Sequence, residues 1–99
     1  MGKLVRDGIP DIIRASGAEP VLRVLDQEEY RTALLEKLVE EAEEASASDS
    51  EHLLEELADV YEIILAALKL HDWSVTDLVS AARRKADERG VFGERIWLD

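Results

Sequence analysis

The chain has 99 residues, 46% of them apolar, which is enough for one domain with a single core. It contains no cysteine, which excludes disulfides, thiolate metal ligands and cysteine nucleophiles. The 23 acidic and 12 basic residues give a net charge of −11, which argues against binding a nucleic-acid polymer or an anionic membrane through a positive field.

The first predicted element is a short helix near the N-terminus. It begins around Ile9, carries Pro10 in its first turn and ends before Gly17. Residues 20–25 and 94–98 are instead rich in branched and aromatic side chains, which is typical of brief extended segments. A minor two-stranded pairing between these two segments is one prediction of the sequence.

A long helix is predicted next, from about residue 27 to residue 46. Asp26 and Glu29 have the spacing of a capping box at its start, and apolar side chains follow at helical spacing. A polar break of about five residues then interrupts the pattern, at residues 46–50. A connection of that length suits an antiparallel pair of helices.

Two further helices complete the predicted fold. Ser48 and Glu51 are predicted to cap the second long helix, which runs to about His71. Ser74 is predicted to cap a third, which reaches about Arg89. The expected architecture is therefore an all-α bundle built on a helical hairpin, with three main helices and a short N-terminal helix in one domain, residues 1–99.

The negative charge is concentrated in the predicted hairpin. Between Glu36 and Glu62 there are eleven acidic residues and one basic residue, Lys37, whereas the rest of the chain is nearly balanced. Such segregation is typical of a cation site, and it is also typical of solvated helix faces.

The second long helix is apolar around nearly its whole circumference, which predicts that it is buried, with Tyr61 in the core. One hairpin cannot cover all of it, which favours a dimer. Glu56 and Asp59 lie three residues apart on its polar sector, and antiparallel packing brings Glu41 and Glu44 level with them. Because Mg²⁺ prefers oxygen ligands, four converging carboxylates indicate a divalent cation.

Two acidic motifs carry a resemblance to a known family. Residues 40–44 and 55–59 resemble the paired Glu-x-x-Glu and Glu-x-x-Asp motifs of the all-α nucleoside triphosphate pyrophosphohydrolases, the MazG-like superfamily. Four more segments are similar to its phosphoribosyl-ATP pyrophosphohydrolase-like subgroup: residues 3–7, 9–10, 37–41 and 89–92. Gly8 departs from the pattern, since that subgroup usually has lysine there.

The resemblance implies hydrolysis of a nucleoside triphosphate between its α and β phosphates, with Mg²⁺ as cofactor and Mn²⁺ able to replace it. It also implies a homodimer or a higher homo-oligomer and a role in clearing unwanted nucleotides. Glu40 would be the catalytic residue, which either serves as an auxiliary metal ligand or helps to orient the attacking water. The implied metal ligands are Glu41, Glu44, Glu56 and Asp59. The implied substrate-binding residues are Lys3, Arg6, Lys85 and Arg89.

Two other functions fit the same sequence. One is the phosphoribosyl-ATP pyrophosphohydrolase step of histidine biosynthesis, and the other is a non-catalytic acidic helical module that binds a basic partner. No apolar run approaches the length of about 20 residues that crosses a bilayer, and the first residues lack the apolar stretch of a secretory signal. We therefore expect a cytoplasmic protein. Trp73 and Trp97 are predicted to close the core rather than to stack on a base.

Overall fold

The computed structural model describes residues 2–99, and its secondary structure within that range is entirely helical. Helix α1 spans Ile9–Ala15, α2 spans Gln27–Ala47, α3 spans Leu53–Leu70 and α4 spans Val75–Arg89. The predicted all-α class, the three main helices and the short N-terminal helix are confirmed. Among the described residues no helix has both the length and the apolar character of a membrane span.

The predicted pairing of residues 20–25 with residues 94–98 is wrong, because neither segment forms a strand. A two-stranded pair is stable only when one of its faces packs on a core. Val21, Val24 and Trp97 are nearly fully exposed, so these three side chains pack on no such surface among the described residues. Strand propensity without burial does not suffice.

The chain divides into two compact units, the first ending at Ala67 and the second comprising Leu68–Asp99. The first unit contains α1, α2 and most of α3, and the second contains the end of α3 and the whole of α4. The organisation of residues 1–99 as one domain stays a prediction.

Within the first unit, α2 and α3 pack as a helical hairpin. Leu34 of α2 and Ile63 of α3 are its buried apolar side chains. Ile63 lies four residues after Asp59 and seven after Glu56, which places all three on one face of α3. The sector that carries the two carboxylates is thus the inward face of this helix.

A second face of α3 is apolar and exposed. Leu54, Leu57 and Tyr61 follow one another at helical spacing, and they are 77%, 49% and 53% exposed. The prediction that Tyr61 belongs to the core is therefore wrong. A helix that is apolar all round has more than one possible inner face, and the described residues leave the face of Leu54, Leu57 and Tyr61 exposed.

The caps of α2 and α4 are those predicted. The Asp26 carboxylate accepts a hydrogen bond from the Glu29 backbone N–H at 2.8 Å, and the Glu29 carboxylate accepts one from the Asp26 N–H at 3.4 Å. Ser74 and Asp77 form the equivalent pair at the start of α4, with distances of 3.1 and 2.8 Å. Both are complete capping boxes.

The connection between α2 and α3 differs from the prediction. Ser48 ends α2 rather than starting α3, because its hydroxyl and its backbone N–H both donate to the Ala45 carbonyl. Asp49 instead closes the turn that precedes α3, since its carboxylate accepts from the His52 backbone N–H at 3.0 Å and lies 2.8 Å from the His52 ring Nδ1. The helix itself begins later than predicted, at Leu53.

The stability that this turn provides is expected to depend on pH. Hydrogen bonds from the His52 ring and from the His52 backbone N–H lower the pKa of Asp49 below its ordinary value. A lowered pKa stabilises the folded state above the ordinary aspartate pKa of about 3.9, and the effect is lost as the pH falls through the lowered pKa. Asp49→Asn keeps an acceptor oxygen but cannot ionise, so it isolates the contribution of the charge.

The melting temperature of the wild type is expected to exceed that of the Asp49→Asn variant at about pH 5, and the difference to shrink as the pH falls below about 3.9. Thermal unfolding followed by circular dichroism measures both proteins. Asp87→Asn, an exposed aspartate on α4, is the control for a general loss of one negative charge. A difference for Asp49→Asn that is the same at every pH would contradict the assignment.

Candidate metal centre

Two overlapping groups of carboxylates lie in the hairpin of α2 and α3. Glu40, Glu41 and Glu44 form one group on α2, and Glu41 forms the other with Glu56 and Asp59 of α3. Within each group, every residue offers a carboxylate oxygen that lies within 4.8 Å of those of the other two. Glu41 belongs to both groups and joins them.

The sequence places these side chains through spacing and connection length. Glu41 and Glu44 are three residues apart on α2, and Glu56 and Asp59 are three residues apart on α3, so each pair lies on one helix face. The short connection after Ala47 sets the two pairs at similar distances from the turn. The structure thus brings Glu41 together with Glu56 and Asp59, whereas Glu44 is grouped with Glu41 on its own helix and not with the pair on α3.

Glu41 is the most unusual of these residues because it is only 9% exposed. Its Oε1 lies 3.5 Å from the Nζ of Lys37, one helical turn earlier on α2. Its Oε2 is buried and has no hydrogen-bond partner among the described residues. Leaving a buried carboxylate oxygen without a partner is costly, so this atom is one that could serve as a ligand to a cation.

The pKa of Glu44 is affected by the neighbouring carboxylates. A hydrogen bond that protonated Glu44 can donate to the Glu41 carboxylate, and the charge of that carboxylate, raise the pKa of Glu44, with smaller effects in the same direction from desolvation and from the charges of Glu56 and Glu40. Like charges at this distance favour the neutral form of one partner. The carboxylates of the first unit are close enough to repel one another, which a bound cation would relieve.

The second carboxylate group has a basic partner from outside the hairpin. The Nη2 of Arg6 donates to the Oδ1 of Asp59 at 2.6 Å, across 53 positions of sequence. The resemblance assigns Arg6 to the substrate, whereas the structure pairs it with an implied metal ligand. Lys37 is therefore not the only basic side chain beside these carboxylates, because Arg6 reaches Asp59 from the segment before α1.

Lys37 is a functional candidate that sequence reasoning named without giving it a role. It lies four residues before Glu41, which is the spacing of a helical ion pair. The ion pair could therefore have been predicted from the sequence. The structure adds that both side chains are mostly shielded from solvent, so Lys37 holds one Glu41 oxygen and leaves the other free.

The remaining predicted substrate residues lie elsewhere. Lys3 is exposed in the segment before α1, and Lys85 and Arg89 are exposed on α4 in the second unit. Their contact with a substrate stays a prediction. Gly8, which departs from the subgroup pattern, precedes α1 with a φ of −83°, and an added Cβ there meets no atom within 4 Å. The backbone therefore does not require glycine at this position.

The two tryptophans do not close a core within the chain. Trp73 and Trp97 are both largely exposed, so their predicted burial is wrong. Trp73 instead stacks on His71, with ring centroids 4.9 Å apart, directly after the end of α3. It also borders an open groove of about 450 Å³ in the second unit, together with Asp77 and Arg84.

Comparison with known proteins gives little guidance about function. No protein-family model matches the chain, and no solved structure matches it significantly. A stretch of 50 residues is 54% identical to a protein of Mycolicibacterium smegmatis that is named only as uncharacterized. The match covers 50% of this chain and 51% of that relative, so the chain spans about half the length of the relative that it matches.

Proposed function

We propose that the chain is a Mg²⁺-dependent nucleoside triphosphate pyrophosphohydrolase, which cleaves the bond between the α and β phosphates. The observation that carries the proposal is the buried, unpartnered Oε2 of Glu41 among carboxylates from two helices. The resemblance of the acidic motifs to the MazG-like superfamily supports the choice of substrate class. The cytoplasm is the proposed compartment.

The residues present fit a hard divalent cation. All the candidate ligand atoms are carboxylate oxygens, which Mg²⁺ and Mn²⁺ accept, and the chain has no cysteine thiolate to favour a softer metal. The proposed ligands are Glu41, Glu44, Glu56 and Asp59. When bound there, Mg²⁺ offsets the negative charge of a triphosphate and polarises its phosphorus–oxygen bonds.

The other residues of the site have distinct proposed roles in the hydrolysis. The exposed Glu40 accepts a proton from the attacking water, whose oxygen bonds to the α phosphorus. The bond from that phosphorus to the bridging oxygen breaks, which gives a nucleoside monophosphate and pyrophosphate. Lys37 positions Glu41 through its ion pair, so it acts on the reaction only through that carboxylate.

We also propose that the chain forms a homodimer through α3. The exposed stripe of Leu54, Leu57 and Tyr61 is the support for this proposal, since soluble monomers rarely expose a contiguous apolar patch of large area. A helix face that packs on its own copy is self-complementary, as two-fold symmetry requires. The stripe is free of charged side chains at its three positions and so lacks the repulsion that the acidic surface imposes elsewhere.

The proposed activity is tested with a panel of canonical and modified nucleotides and phosphoribosyl-ATP, assayed with millimolar Mg²⁺. Release of pyrophosphate from a nucleoside triphosphate is the expected result. Release from phosphoribosyl-ATP alone would assign the histidine-biosynthesis reaction instead. Orthophosphate as the product would contradict cleavage between the α and β phosphates.

Thermal unfolding with and without Mg²⁺ or Mn²⁺ separates an enzyme from an acidic interaction module. A cation that binds only the folded state stabilises it by about 2.7 kcal/mol when its free concentration is 100 times its Kd. An Asp59→Ala variant should lose that gain. Absence of both stabilisation and pyrophosphate release in the wild type would favour the acidic module.

A further inference from the structure

We propose that Arg6 and a divalent cation compete for Asp59, so that cation binding releases the segment before α1 from the hairpin. This inference rests on the metal site of the proposed function, although it does not depend on the reaction catalysed there. In this proposal Arg6 is the counter-ion of Asp59 whenever no metal is bound there.

The geometry places the guanidinium where it opposes a cation. Arg6 Nη2 lies 2.6 Å from Asp59 Oδ1, and a carboxylate oxygen of Asp59 lies within 4.8 Å of one from Glu41 and one from Glu56. A metal ligated by these three carboxylates would bring a second positive charge close to the guanidinium. Repulsion between like charges at such a separation is appreciable even near a protein surface. The two cations therefore exclude one another at Asp59.

Arg6 differs from Lys37, the other basic residue at the site. Lys37 is four residues from Glu41 on the same helix, and both side chains are mostly buried, so that pair forms with the helix and leaves Glu41 Oε2 free. Arg6 comes from a non-helical segment, and the side chains of Arg6 and Asp59 are 56% and 43% exposed. An exposed ion pair is weak, so Arg6 is the partner that a metal displaces.

Displacement gives Arg6 two states, which depend on whether a cation is bound at Asp59. Without a cation, Arg6 neutralises Asp59 and tethers residues 2–8 to α3. With a cation, the freed guanidinium is a planar donor beside the carboxylate site, and its geometry suits two phosphate oxygens at once. Arg6 thus disfavours binding of the metal alone. When the metal binds together with a phosphate-bearing ligand, the phosphate oxygens are the new partner of the guanidinium.

The first experiment measures Mn²⁺ affinity by isothermal titration calorimetry for the wild type, Arg6→Ala and Arg6→Gln. Arg23→Ala is the matched control, because Arg23 forms an exposed ion pair with Glu29 of similar accessibility away from the carboxylate groups. Both Arg6 variants should bind Mn²⁺ about two- to five-fold more tightly than the wild type, which corresponds to about 0.4–1 kcal/mol for an exposed pair. The Arg23 variant should bind like the wild type.

The second experiment uses the unmodified chain. Trypsin cleavage after Arg6 should become several-fold faster when Mg²⁺ is added, relative to cleavage after Arg23 in the same sample. Equal Mn²⁺ affinities in the wild type and the Arg6 variants, or slower cleavage after Arg6 with Mg²⁺, would overturn the competition while leaving the metal site intact. Absence of Mn²⁺ binding in every variant would overturn the metal site itself.

Discussion

Glu41→Gln is expected to abolish stabilisation by Mg²⁺ and to lower the rate of pyrophosphate release by on the order of 10²–10³-fold, as when one charge-stabilising group is removed from an active site. Glutamine has nearly the same shape as glutamate but no negative charge. Glu41 belongs to both carboxylate groups, so its loss weakens both at once. Pyrophosphate release and thermal unfolding with Mg²⁺ measure the two effects.

Glu43→Gln is the matched control for this substitution. Glu43 is exposed on the same helix and lies outside both carboxylate groups. Its substitution therefore removes the same charge from α2 without removing a candidate metal ligand. It should retain the activity and the Mg²⁺ response of the wild type. If Glu41→Gln also retained both, Glu41 would not be a metal ligand, and its buried oxygen would need another explanation. Circular dichroism verifies that each variant is folded.

A second large effect is expected on the stability of the proposed homodimer. Leu54→Glu is expected to weaken homodimerisation by at least about 30-fold, which corresponds to loss of a side chain worth about 2 kcal/mol at an interface centre. Leu54 is 77% exposed in the first turn of α3, where a negative side chain suits the helix dipole, so the helix itself should not be harmed. Sedimentation equilibrium measures the change in dimer affinity.

Val24→Glu controls for the added charge, since Val24 is 97% exposed and lies outside the stripe. It should leave the dimer affinity unchanged. Dimerisation of the wild type should also strengthen with salt, because screening reduces repulsion between two chains of charge −11. A wild-type chain that stays monomeric at all salt concentrations, or a dimer that tolerates Leu54→Glu, would exclude the stripe as the interface.

The helices could be predicted from the sequence because their signals are local. Apolar periodicity located α2, α3 and α4 to within a few residues, and the capping boxes at Asp26 and Ser74 marked two of their starts. The start of α3 was placed too early, because Ser48 ends α2 and Asp49 accepts from His52 in a turn before Leu53, where the helix begins.

The orientation of α3 could not be predicted in the same way. Apolar side chains surround this helix, so their periodicity does not indicate which face is buried. Tyr61 was for that reason predicted in the core, whereas it is exposed. The grouping of Glu41 with Glu56 and Asp59 followed from the short connection between two regular helices, which fixes their relative register. The Arg6 contact with Asp59 depends on the path of an irregular segment, for which the sequence carries no periodic signal.

The carboxylates and the arginine also differ in how far along the chain their partners lie. Glu41, Glu56 and Asp59 meet through a hairpin of consecutive helices, and contacts that are local in sequence form quickly during folding. Arg6 must instead close a loop across 53 positions, which costs more chain entropy. The hairpin of α2 and α3 is therefore expected to form before Arg6 contacts Asp59. Dissolved cations that screen the carboxylates should accelerate formation of the hairpin.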